Sequence, residues 1–228
     1  MKTFEQIKTE ILALAKQKGA CAEGYNPAEK STNIDELMKV VKDNFGWCYN
    51  NEVVTIAILD EIGESKVNEF GIYYKGEVER LKDLKGLYFC GAFKVKYLEN
   101  SQVSEMWGNS QVSVMRGNSQ VSEMWENSQV SEMWENSQVS QMRENSQVSV
   151  MLGNSQVSVM WENSQVSVMW GNSQVSVMRG NSQVSGMWGN SFARSFNANL
   201  PKETHDRYCY VDLKNNLVYI GKDLKCTE

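Results

Sequence analysis

Histidine is almost missing from this chain: His205 is the only one in 228 residues. Without a His/Cys/Asp/Glu cluster at ligand spacing, a zinc site has no ligands to draw on, and no metal is expected. Proline occurs twice, at Pro27 and Pro201. The five cysteines (Cys21, Cys48, Cys90, Cys209, Cys226) are odd in number, widely spaced and form no C-x-x-C pair. They read as reduced, mostly buried thiols of a cytoplasmic protein. No apolar run approaches the roughly 18 residues of a membrane span, and Met1–Glu5 leads into an amphipathic helix rather than a secretory signal. Glycine-rich phosphate loops and nucleophile motifs are also lacking, so neither cofactor nor catalytic residue is expected and the chain reads as non-enzymatic. The His205-Asp206 pair near Cys209 reads as a loop rather than a Cys-His nucleophile.

Basic stretches are lacking as well. The formal net charge is −5, and residues 100–189 hold seven Glu and three Arg with no Lys or Asp. Direct nucleic-acid binding, which needs clustered Lys and Arg, is not expected. Yet 41% of the residues are hydrophobic and 10% aromatic, too many for a disordered chain.

What is present is a repeat. From Asn100 to Gly189 the chain consists of ten copies of Asn-Ser-Gln-Val-Ser-x-Met-x-x. The sixth position takes Glu, Val, Gln or Gly; the eighth takes Trp, Arg or Leu; the ninth takes Gly or Glu. A position that accepts Trp107, Arg116 and Leu152 faces outward, because a buried unpaired Arg is too costly. The sixth position is outward by the same test, so Met at the seventh points inward, and Val at the fourth and Ser at the second share a second inward face. Nine residues cannot bury a core alone. Stacked coils can, with identical side chains forming ladders about 4.8 Å apart and Asn at the corners. A parallel β-solenoid is the expected fold. Coil size is open between 18 residues (two copies) and 27 (three copies). The second would set Trp107, Trp134, Trp161 and Trp188 on one edge.

The Asn-Ser-Gln-Val-Ser ladder resembles the short-repeat solenoids, among them hexapeptide helices and pentapeptide-repeat proteins. It is similar in style to bacterial and prophage proteins that carry Asn-small-x-Val repeats after a helical N-terminal domain. The resemblance implies a fold and no catalytic residues. The period is nine rather than six or five. The block lacks the Gly-Gly-x-Gly-x-Asp motif, and any Asp, so a calcium roll is excluded on ligand grounds.

Before the repeats, residues 1–85 read as a helical or mixed domain. Phe4, Ile7, Ile11, Leu14 and Ala15 recur at helical spacing behind a Thr3/Gln6 capping box, with Gly19 as the stop. Ile34, Leu37, Met38, Val41 and Phe45 follow an Asn33/Glu36 cap and end at Gly46. Val53–Leu59 fits a third helix or a buried strand, while residues 71–74 and 87–90 read as short strands. Trp47 and Tyr49 beside Cys48 fit the lining of a small pocket or, more simply, core. The solenoid is assigned to 86–191. Residues 192–228 read as a cap, with a hairpin about Asn215-Asn216 covering a sheet edge that would otherwise polymerise. The fold class is therefore α+β: small helical domain, β-solenoid, C-terminal hairpin cap.

For function, the outward eighth position stands out. Trp107, Arg116, Trp125, Trp134, Arg143, Trp161, Trp170, Arg179 and Trp188 are residue types enriched at interface hot spots. They point to a binding protein using its solenoid surface against a protein partner, or to self-association. The same rows also fit Trp ladders that merely stabilise the solenoid. Other readings are a self-assembling or ice-binding solenoid, an acidic DNA mimic whose charge Arg116, Arg143 and Arg179 dilute, and an enzyme with an unrecognised N-terminal site.

Overall fold

The computed structural model describes residues 2–197, 199, 201–204 and 207–221. The expectations for His205-Asp206 and Cys226 lie outside them. The chain divides into two compact units, 1–74 and 75–228.

The first unit is helical: α1 (Phe4–Gln17), α2 (Ala22–Lys30), α3 (Ile34–Asp43), α4 (Phe45–Asn50), α5 (Ile56–Ile62) and α6 (Glu64–Glu69), then the short strand β1 (Ile72–Tyr73). The expected capping box is formed: the Gln6 amide donates to Thr3 Oγ1 (3.3 Å), and the Thr3 amide donates to Gln6 Oε1 (2.9 Å). Asn33 Oδ1 accepts from the Glu36 amide at 2.9 Å and starts α3. The stripes Ile7/Ile11/Ala15 and Leu37/Met38/Val41 are buried, as spacing predicts. Val53 and Val54 are buried loop, and α5 begins only after the Thr55 cap, so the ambiguous segment is helical in its second half. Helix α2 carries Gly24 and Pro27 and buries only Ala28; packing against α1 and α3 holds it, a tertiary effect that left no periodic trace.

The second unit is a parallel β-solenoid with 18 residues per coil. Its strands are β2 (Glu77–Lys82), β3 (Leu87–Phe89), β4 (Lys94–Glu99), β5 (Gln102–Met106), β6 (Gln111–Arg116), β7 (Gln120–Met124), β8 (Gln129–Met133), β9 (Gln138–Met142), β10 (Gln147–Met151), β11 (Gln156–Met160), β12 (Gln165–Met169), β13 (Gln174–Met178), β14 (Gln183–Met187), β15 (Ser191–Ser195), β16 (Glu203–Thr204), β17 (Tyr208–Asp212) and β18 (Leu217–Ile220). Within this unit, one sheet runs from β3 through the odd-numbered strands to β17 and then β18. The other takes the even-numbered strands from β2 to β16. Pairing is between residues 18 apart, as in Val148↔Val166 and Met151↔Met169. The 27-residue coil is thereby excluded. Residues 77–82, grouped by sequence with the N-terminal domain, form the strand on which β4 is laid.

The inward set is the expected one. Ser at the second position, Val at the fourth and Met at the seventh are buried in all ten copies. Burying Val and Met contributes roughly 1.5–3 kcal/mol each, which outweighs the cost of one seryl hydroxyl per copy, about 1–3 kcal/mol when unpaired. Strict alternation breaks between the fifth and sixth residues, both of which stay outside the core, so that Val and Met three apart both point in. At each corner the ninth residue has positive φ, from 55° at Glu144 to 71° at Gly153. Glycine adopts this freely, whereas Glu126, Glu135, Glu144 and Glu162 do so at a cost of about 1–2 kcal/mol each. A compensating contact exists: Glu135 Oε2 accepts the Gly117 amide, and Glu162 Oε2 the Glu144 amide, both at 2.7 Å. Corner asparagines bond up the axis, as in Asn154 Nδ2 to Asn136 Oδ1 (3.3 Å) and Asn172 Nδ2 to Asn154 Oδ1 (3.1 Å).

At the C-terminal end β17 lies parallel to β15, and β18 returns antiparallel about residues 213–216. Buried Asp212 holds that turn by accepting from the Lys214 and Asn215 amides, each at 3.0 Å.

Candidate functional site

The eighth residue of each copy directly precedes the corner, just past the strand in nine copies and as its last residue, Arg116, in the second. From the third copy on, its amide donates to the methionine carbonyl one coil earlier: Trp134 to Met115 (2.9 Å), Leu152 to Met133 (2.8 Å), Trp170 to Met151 (2.8 Å). Its own carbonyl accepts from the seryl amide three residues on, as from Ser137 to Trp134 at 3.2 Å. Both bonds fix the backbone, so eighth residues 18 apart align in register from coil to coil.

Because a coil holds two copies, the nine expected residues separate into two rows rather than one. The row following the odd-numbered strands is Trp107, Trp125, Arg143, Trp161 and Arg179, and it runs on to Phe196. The other row is Arg116, Trp134, Leu152, Trp170 and Trp188. Trp107, Trp134, Trp161 and Trp188 do not share an edge.

The first row is stacked nearly throughout. Trp107 and Trp125 lie parallel, with centroids 4.9 Å apart and planes 1° apart. The Arg143 guanidinium sits between Trp125 (4.6 Å) and Trp161 (5.9 Å), and that of Arg179 between Trp161 (5.1 Å) and Phe196 (4.9 Å). Each cation faces a ring on either side, a favourable electrostatic arrangement. Trp107, expected outward, is only 4% exposed: Trp125 covers one face and its Nε1 donates to Glu105 at 2.7 Å. Burial pushes the Glu105 carboxyl above the ordinary glutamate range; the indole bond opposes this and Glu123 adds to it.

The second row is different. Arg116 turns away to pair with Glu99, which also lies beside Arg80, and its guanidinium stacks over Tyr97 at 4.9 Å. That hydrogen bond holds the Glu99 carboxyl below its usual value against the effect of desolvation. Trp170 and Trp188 stack with centroids 5.3 Å apart. Trp134 is oriented by its Nε1 donating to Glu132 at 2.7 Å. Between Trp134 and Trp170 the rung carries Leu152, which offers neither a ring nor a guanidinium to stack, and the two indoles are 44% and 47% exposed. The sequence placed Leu152 outward but not among the candidate contact residues, although it is the one aliphatic residue among ten eighth positions.

A second concavity lies within the helical unit, a mostly apolar cavity of about 390 Å³ whose lining includes Ile11, Tyr25, Val41, Asn44, Trp47 and Cys48. Trp47 thus lines a pocket, at 38% exposure, while Phe45 packs in the core, with its ring stacked on that of Tyr49 at 5.7 Å. Burial pushes the Cys48 thiol up to about 12, which leaves it protonated and unreactive at neutral pH. Cys21, Cys48, Cys90 and Cys209 are free thiols. Among the described residues no three His, Cys, Asp or Glu side chains gather as a metal-holding group, and no helix is long and apolar enough to cross a membrane.

Comparison with protein families, with curated proteins and with solved structures finds no match.

Proposed function

We propose that this chain is a non-enzymatic binding protein whose contact surface is the row Trp134, Leu152, Trp170 and Trp188, and that its partner is another protein. The exposure of Trp134 and Trp170 carries this reading. In the neighbouring row guanidinium groups of the same chain cover the ring faces; here two large aromatic side chains meet solvent at the ends of strands paired on both sides. Tryptophan anchors of this kind dominate interface energetics where a partner desolvates them. A net charge of −5 argues against nucleic acid as the partner.

The test is affinity capture from bacterial lysate with three proteins matched by circular dichroism: the intact chain, a Trp134→Ala/Trp170→Ala variant and a Trp125→Ala/Trp161→Ala variant. A partner held by the first and third and lost by the second supports the reading. Equal capture by all three overturns it. A self-assembling reading is favoured by one observation, the exposure of Leu217 and Val218 on the edge strand β18. Sedimentation that rises with concentration and is abolished by Val218→Lys would support that alternative.

A further inference from the structure

We infer that the gap over Leu152, between Trp134 and Trp170, is a receptor for an arginine side chain presented by the partner protein. The inference rests on the reading of this row as the contact surface and names the chemistry that it captures.

The chain itself supplies the comparison. Trp125 and Trp161 stand two coils apart in one row, as Trp134 and Trp170 do in the other. Two rungs of a parallel sheet span about 10 Å, so a planar group midway lies about 5 Å from each ring. In the first row that place is filled by Arg143, 4.6 and 5.9 Å from the flanking rings. In the second row Leu152 stands there, partly exposed and with no planar group to stack on the indoles, which are themselves 44% and 47% exposed. The group that fits is therefore a guanidinium: flat, weakly hydrated and attracted by ring faces.

Charge favours the same occupant. Glu132 lies beside Trp134 and accepts its indole N–H, and Glu135 follows Trp134 directly at the corner. Arg116, the cation one rung before Trp134, is already paired with Glu99. Trp170 keeps Trp188 behind it, so that ring is held in place with its other side toward Leu152. The frame is preformed, and a partner's arginine enters with little rearrangement.

The test titrates labelled acetyl-hexaarginine amide, hexalysine amide and hexacitrulline amide into the full chain at physiological salt. Hexaarginine is expected to bind about tenfold more tightly than hexalysine, and the neutral citrulline peptide to bind least. Leu152→Arg, which places in this row what Arg143 is in the other, should reduce the arginine preference to about unity. Arg143→Leu opens the matching gap between Trp125 and Trp161 and should raise the stoichiometry from one peptide to two. Equal binding of the arginine and lysine peptides overturns the inference, since charge alone would then account for it. So does an arginine preference that survives Leu152→Arg. If lysate capture needs Trp134 and Trp170 yet ignores Leu152→Arg, the contact surface stands and the arginine receptor falls. If capture ignores the two tryptophans, the contact surface itself falls.

Discussion

The Cζ3–Cη2 edge of the Trp188 indole lies directly over Gly186, in the space that a Cβ on the glycine would occupy. Five other copies carry Val at this sixth position, so the glycine answers to its own neighbour rather than to the repeat. Gly186→Val should push Trp188 off its seat and break the stack with Trp170. The expected cost is about 1 kcal/mol, with a weakened tryptophan exciton signal in circular dichroism, the share of the Trp107–Trp125 stack remaining. An unchanged signal would mean that the ring does not rest on Gly186.

Identical serines at the second position should respond oppositely to the same change. Ser119 Oγ lies 2.8 Å from both the Leu98 and the Arg116 carbonyl, either of which accepts its one proton. Ser146 Oγ is buried with no hydrogen-bond partner. Ser119→Ala should destabilise by about 1 kcal/mol, whereas Ser146→Ala should be neutral or stabilising. Urea unfolding of the two variants decides it, and a loss of equal size in both would refute the distinction.

Glu144 occupies a corner row between Glu126 and Glu162. Burial first, then those two charges, raises its carboxyl above the ordinary value of 4.5. A carboxyl raised in the folded state stabilises the fold when protonated; that contribution is complete below 4.5 and lost as pH climbs through the raised value. Glu144→Gln should therefore be more stable than the parent at pH 7, and the two should converge as pH falls toward 4.5. A stability difference constant across this range would contradict the assignment.

In the helical unit, Asn33 caps α3 through its bond to the Glu36 amide. Asn33→Ala should remove about 1 kcal/mol from that unit, read from the helical signal at 222 nm during denaturation. An unaltered midpoint would show that the Thr32 amide's bond to Glu36 Oε2, 2.7 Å long, suffices to start the helix.

Much of the helical unit was legible because capping and periodicity act within a few residues, as at Thr3/Gln6 and along Leu37, Met38 and Val41. Helix α2 was not, because Gly24 and Pro27 erase the local signal and only contacts with α1 and α3 restore the helix. In the candidate site, the outward placement of the eighth residue could be read from its tolerance of Trp, Arg and Leu. The division into a self-covered row and an exposed one could not.

By itself the sequence determined that Met faces the core, since Met never varies while its neighbours at the sixth and eighth positions do, and alternation then set Val and Ser on a second inward face. It also required that copies stack, because nine residues bury too little alone. Only the tertiary structure decided that a coil closes after two copies, for the repeat is compatible with either closure. With that closure the neighbours of Leu152 became Trp134 and Trp170, each 18 residues away, and those of Arg143 became Trp125 and Trp161. Whether an indole is covered or exposed depends on the residue one coil above and below, a relation fixed by coil length and invisible to any local pattern.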